Sequence, residues 1–344
     1  MISQRKFRMF KWSIEELTLP LKFAWNISRN SSTFKNNFIV TVKNGNIEGR
    51  GEVAFNVRYN ESREQVLEKF EEFTQNVPNE LTGIENLVAV LESMDLPQSL
   101  KFGIESSFMH YISNLSGKTV PQLLGTTTVN SAPTSFSIPI MENDKLLAFY
   151  KENNLERFKS IKVKVNKDNA YSFVKDILDL THVPLRIDAN ESFETAKEVM
   201  HFIEQMDKLN ALKRIEFLEQ PLHASNHTEA LELKKHSPLI LIADESVTKE
   251  SITEYHAERF HGINMKLMKA GGYVKGLKQL RQAKMLGLKT MIGCMVETSL
   301  GISSALHLAG GVDYLDLDGF LLLKEDPFQL VSEENGKVFF AYLQ

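Results

Sequence analysis

The sequence is poor in cysteine, in long apolar runs and in any excess of one charge, and each shortage removes a class of function. Cys294 is the only cysteine among 344 residues, so no intrachain disulfide can form and a reducing cytoplasm fits. Lys and Arg number 40 against 44 Asp and Glu, spread along the chain, for a formal charge of −4. That balance leaves no electrostatic footprint for a nucleic-acid backbone or an anionic membrane, so a small molecule becomes the default partner. No segment approaches the roughly 18 consecutive apolar residues of a membrane-spanning helix. The stretch from Met1 to Phe10 is basic but lacks the continuous apolar run of a secretory signal, and none is expected.

What is present is ordinary globular material: 42% apolar residues, enough for a large buried core, over a length that suits a barrel of roughly 200 to 250 residues plus a smaller domain. In the first third, Phe38-Ile39-Val40-Thr41-Val42 alternates inward and outward positions before the turn Lys43-Asn44-Gly45-Asn46 and a short strand around Ile47 to Val53, which predicts an antiparallel sheet. From Ser62 to about Gly125 the period becomes helical, with Val66, Phe70 and Phe73 three or four apart. After Pro133, short apolar runs alternate with helical stretches. Candidate strands begin near Thr134, Ile161, Leu185, Ile215, Leu239, Ile263, Thr290 and Tyr314. Eight such units favour a closed TIM-type barrel of parallel strands over an open sheet. The last stretch, Lys337 to Tyr342, is strand-like and follows a Glu-Asn-Gly turn.

Most of these strands run into an acid or a lysine where they end: Lys164, Asp188, Glu219, Asp244, Lys266, Glu297, and the pair Asp316 and Asp318. In a barrel that sets them on one rim, the C-terminal rim where such enzymes do their chemistry. Asp188, Glu219 and Asp244 offer hard oxygen ligands suited to Mg²⁺; the alternative is a structural set of salt bridges with Lys164 and Lys266. Lys162 and Lys164 share a strand face, and Lys266 arrives from across the barrel. A lysine acts as a base only when its pKa is lowered, which neighbouring ammonium groups and a divalent cation both favour. Two facing lysines then suit removal of a proton from one side of a carbon and its return on the other. Cys294 reads as a small apolar filler, since no histidine is placed to activate it.

Taken together, Lys162-Val163-Lys164, Asp188-Ala189-Asn190, Glu219-Gln220-Pro221, Asp244-Glu245-Ser246 and Lys266-Leu267-Met268-Lys269-Ala270-Gly271-Gly272 resemble the enolase superfamily, specifically its muconate-lactonising subgroup and within it the dipeptide epimerases. Arg58-Tyr59-Asn60-Glu61-Ser62 resembles that family's second lid loop, and Phe23 to Asn37 stands in the place of its first. The resemblance implies a (β/α)7β barrel over residues 126–323, capped by an α+β domain built from residues 1–125 and a C-terminal segment, 324–344, that returns to it. It further implies one Mg²⁺ per subunit on Asp188, Glu219 and Asp244, no organic cofactor, an acid/base pair Lys164 and Lys266, and Lys162 helping to hold the substrate carboxylate as it becomes an enediolate. A homo-oligomer is also implied.

Asp316-Leu317-Asp318-Gly319 is similar to the carboxylate pair with which dipeptide epimerases hold a substrate ammonium; a turn without a ligand is the alternative. Glu297 and Thr298 match a pocket-lining segment of the family. Arg29, in the first lid loop, either pairs with an acidic substrate side chain or is an exposed loop charge. The expected activity is Mg-dependent epimerisation at the α-carbon of the C-terminal residue of a dipeptide. The alternatives are an N-acylamino-acid racemase, an o-succinylbenzoate synthase or a cycloisomerase of the same subgroup, and, from another class, a non-catalytic metal-binding barrel protein.

Overall fold

Alternation and turn chemistry build the first sheet in the computed structural model, which describes residues 10–27 and 30–341. Its strands are β1 (Lys11–Ile27), β2 (Asn30–Asn44) and β3 (Ile47–Val53), paired antiparallel in that order. Phe38, Val40 and Val42 are fully buried on one face of β2, and Gly45, at φ 64°, supplies the left-handed conformation the turn into β3 requires. Three helices cover this face: α1 (Arg63–Asn76), α2 (Ile84–Ser93) and α3 (Gln98–Ser116). Ser62 starts α1 by accepting from the backbone N–H of Gln65, and the spaced Val66, Phe70 and Phe73 form its buried stripe. Gly49 and Gly51 let β3 lie directly on α3, because a Cβ at either would run into the α3 backbone. The short α4 (Val120–Leu124) and β4 (Ser131–Pro133) lead into the barrel.

Eight parallel strands follow, side by side in chain order. They are β5 (Phe136–Ile138), β6 (Ile161–Lys164), β7 (Leu185–Asp188), β8 (Ile215–Glu219), β9 (Leu241–Ala243), β10 (Gly262–Met265), β11 (Lys289–Gly293) and β12 (Tyr314–Asp316). The helices between them are α5 (Asn143–Glu152), α6 (Ala170–Leu180), α7 (Ala196–Lys208), α8 (His227–His236), α9 (Glu254–Arg259), α10 (Leu267–Ala270), α11 (Tyr273–Met285) and α12 (Ser299–Leu306). Apolar faces such as Phe173, Val174 and Ile177 of α6 lie fully buried in the core that also holds Ile161, Val163 and Ile187. The barrel floor is a separate apolar plug of Phe217, Ile242 and Met291. Over it Arg186 stacks on the rings of Phe217 and Tyr314 and reaches across to the carbonyl of Leu315 at 2.6 Å.

Side chains close the seam between the last and first strands. Leu317 N–H donates to Thr134 Oγ1 (2.8 Å), Ser135 Oγ donates to Asp316 Oδ1 (2.9 Å), and Ser137 N–H donates to Asp318 Oδ2 (2.6 Å). The architecture is therefore the expected near-closed α/β barrel with a separate antiparallel cap, each strand beginning within two residues of its expected place.

Beyond β12 the chain touches the first sheet, Lys324 N–H donating to the carbonyl of Pro20. It then forms β13 (Val331–Glu334) and β14 (Lys337–Phe340), and β14 pairs with β4. Tyr342, the expected end of the last strand, lies outside the described residues. Among the described residues no helix is long and apolar enough to cross a membrane.

Candidate active site

Strand register decides which polar side chains meet. Lys164 on β6 stands opposite Asp188 on β7, and Asp188 stands opposite Glu219 on β8, so three chain-distant residues form one row at the strand ends. Two residues earlier on β6, Lys162 faces the same way and reaches three carboxylates: Asp188 at 3.0 Å, Glu219 at 2.8 Å and Asp316 at 2.8 Å. Lys164 Nζ donates to Asp188 Oδ2 at 2.8 Å, with the Trp25 ring of the cap 5.7 Å from its ammonium. From across the barrel Lys266, just past β10, donates to Asp244 Oδ2 at 2.9 Å.

Lys162, Lys164, Lys266, Asp244, Asp316 and Asp318 all line one cavity of about 650 Å³ between the strand ends and the cap. Its cap wall is made by Trp25, Phe34, Lys35 and Phe55, and by the loop Asn56 to Tyr59. Arg58 of that loop pairs with Glu191 through two hydrogen bonds of 2.9 and 2.6 Å, tying the cap to the loop after β7.

Burial and charge sort the acids into two groups. Burial opposes ionisation of Asp188, but the ammonium groups of Lys162 and Lys164 hold it well below the usual carboxylate range. Asp244 is held low against burial in the same way, by Lys266 and Lys269. Glu219, by contrast, is pushed up to about 7 by burial and by the charges of Asp188 and Asp244, against the pull of Lys162. Asp318 is pushed to about 7 by burial and by Asp316, and among the described residues it has no cation within ion-pair distance. Lys266 departs from the lowered pKa expected of a base: burial would depress it, but the adjacent Asp244 carboxylate lifts it above the ordinary lysine range. The physical reason is the direct ion pair, which outweighs the neighbouring Lys162.

Glu297 and Thr298 do not line this cavity; Met295 and Val296 do. Instead Thr298 donates from its backbone N–H (3.0 Å) and its hydroxyl (2.6 Å) to Glu52 of β3, a cap residue that also accepts from Gly301 N–H and from Asn37. Glu297, packed beside Glu52, is pushed up to about 8 by burial and by that like charge. Arg29 lies outside the described residues. Cys294 lines the cavity, and burial pushes its thiol well up, which suits a filler and not a nucleophile.

Several working residues carried no sequence assignment. Lys269 is buried and donates to Asp244 Oδ1 (2.6 Å) and to the Asp244 carbonyl, fixing that carboxylate from behind. Its spacing of three from Lys266 was the available signal. Asn264, two before Lys266 and so on the same strand face, donates to Glu219 Oε1 at 2.8 Å. Gln220 Oε1 accepts from the backbone of Asp244 and Ser246, joining β8 to β9. Glu52 and Glu191 sit in no motif, and only the tertiary structure reveals them.

Asp188, Glu219 and Asp244 are the right donors for a hard cation: fully buried oxygens on adjacent strands whose charges raise one another's proton affinity. As they stand, with Lys162 bridging Asp188 and Glu219, no three His, Cys, Asp or Glu side chains among the described residues are gathered to hold a metal ion. The donor set fits Mg²⁺ in kind.

Comparison with known proteins places this geometry. The enolase C-terminal domain-like model matches residues 145–325. A protein of a Maribacter species, named L-Ala-D/L-amino acid epimerase, is 32% identical over 96% of each chain. One from a Flavobacteria bacterium, named hydrophobic dipeptide epimerase, is 29% identical over 95% of this chain and 94% of its own. A solved structure from Agrobacterium tumefaciens, described as an enolase family member with homology to dipeptide epimerases and holding sodium and L-Ala-L-Glu, superposes with a TM-score of 0.85. It covers 97% of this chain and 98% of its own, at 27% identity. With the family model spanning more than half its residues and the barrel and its rim arranged as described, the chain belongs to the enolase C-terminal domain-like family.

Proposed function

We propose that the chain is a Mg-dependent dipeptide epimerase, moving the α-proton of the C-terminal residue through an enediolate. Its kinship makes it an isomerase of the racemase and epimerase kind; substrate class and chemistry are the proposal. The observation that carries it is the meeting, in one cavity, of two lysines from opposite sides of the barrel with the Asp316 and Asp318 pair.

Lys164 and Lys266 are the two proton carriers, one taking the proton from the α-carbon and the other returning one to the opposite face. Each is backed by a carboxylate, Asp188 or Asp244, that fixes its ammonium in place. Asp188, Glu219 and Asp244 would hold Mg²⁺, which when bound supplies positive charge to stabilise the enediolate. Lys162, already bonded to the acids of this row, adds its ammonium charge beside the substrate carboxylate. Asp318, unpaired with any described cation and charged only with difficulty on its own, gains most from an arriving ammonium, and Asp316 reinforces it. That asymmetry favours a free dipeptide over an N-acylated amino acid, whose amide brings no positive charge.

The test is incubation with Mg²⁺ and a pooled library of L,L-dipeptides and N-acylated L-amino acids in D₂O, following mass gain at each α-carbon. Deuterium entering one subset supports the reading; exchange only in acylated amino acids would replace it with the racemase alternative.

A further inference from the structure

Among the described residues, one cation in the cavity is unaccounted for by the chemistry above. Arg58, Lys162, Lys164 and Lys266 each have an acidic partner, at 2.6, 2.8, 2.8 and 2.9 Å. Lys35, on β2, lines the same cavity half-buried and has no hydrogen bond or ion pair among the described residues. Its neighbours in the cap wall, Trp25, Phe34 and Phe55, offer no counter-charge. Burial lowers its pKa with no opposing carboxylate. An ammonium partly withdrawn from water and left without a counter-ion is unfavourable until an anion arrives.

The identity of that anion follows from the rest of the site. With the substrate ammonium at Asp318 and the reacting carbon between Lys164 and Lys266, the side chain of the reacting residue is what remains to face the cap wall. The α-carboxylate is already served by the Lys162 ammonium and by the cation that Asp188, Glu219 and Asp244 would hold. We propose that Lys35 is a specificity-determining residue that pairs with an anionic side chain on the residue being epimerised, so that the preferred dipeptides end in glutamate or aspartate. This assignment rests on the epimerase reading.

The test compares kcat/KM for deuterium exchange with L-Ala-L-Glu and with its neutral isostere L-Ala-L-Gln, in the wild type, Lys35→Met and Lys35→Glu, with L-Ala-L-Lys as a third substrate. A charge-assisted contact predicts a wild-type preference for Glu over Gln of about tenfold or more. Lys35→Met should collapse that ratio toward one, and Lys35→Glu should raise activity on L-Ala-L-Lys. Equal wild-type rates on Glu and Gln overturn the assignment. So does an equal loss on both substrates in Lys35→Met, which would mean that Lys35 reads the shared α-carboxylate. Failure of the wild type to exchange any dipeptide would sink the epimerase reading itself, a pattern distinct from the other two.

Discussion

Replacing Glu105 by Gln should flatten the pH dependence of stability. Glu105 lies on α3 of the cap, 2% exposed, and its Oε1 accepts from the Val274 N–H in the first turn of barrel helix α11 at 2.9 Å. Gly272, at φ 150°, makes room, since a Cβ there would run into the carboxylate. Burial pushes the group up from its ordinary 4.5 to about 7, against the pull of the backbone donors of Val274 and Tyr273. Between those two values the folded chain binds more protons than the unfolded one, so stability falls as pH rises. The stabilising contribution is complete below 4.5 and is lost as pH climbs through 7. At about 1.4 kcal/mol for each tenfold difference in proton affinity, the loss between about pH 5 and pH 8 is on the order of 2–3 kcal/mol. Glutamine keeps the shape without the titration. Urea unfolding of both proteins across that pH range should therefore show the wild type losing this amount relative to Glu105→Gln. Parallel curves would refute the idea that this buried carboxylate takes up a proton on folding.

Lys164→Ala and Lys266→Ala should each lower epimerisation by roughly 10²–10⁴-fold, while Mg²⁺ binding measured calorimetrically persists; full epimerase activity in either variant would end the two-lysine mechanism. Removing metal with EDTA should abolish exchange and added Mg²⁺ restore it, and Asp244→Asn should weaken Mg²⁺ binding in the same titration. Asp318→Asn should cut kcat/KM on free dipeptides by about 10- to 100-fold, the worth of a charged hydrogen bond, and narrow the gap to N-acylated substrates. Unchanged activity on dipeptides would remove the ammonium role of Asp318.

Period and turn chemistry are local properties, so the sequence alone determined the sheet around Gly45, the stripe Val66, Phe70 and Phe73, and the eight strand positions. The placing of Lys164, Asp188, Glu219, Asp244 and Lys266 on one rim was legible for the same reason: each ends a strand, and parallel strands end together. What only the tertiary structure decided depends on which surfaces meet. Register set Lys162 among three acids, and contact between cap and barrel turned Thr298 toward Glu52 and away from the cavity. The strength of a nearby ion pair, invisible in spacing, lifted Lys266 where a lowered pKa was expected. Lys35 shows the limit most plainly, because its sequence surroundings are those of any strand lysine. Its meaning lies in having lost part of its water without gaining a partner among the described residues, and that is a property of the folded cavity.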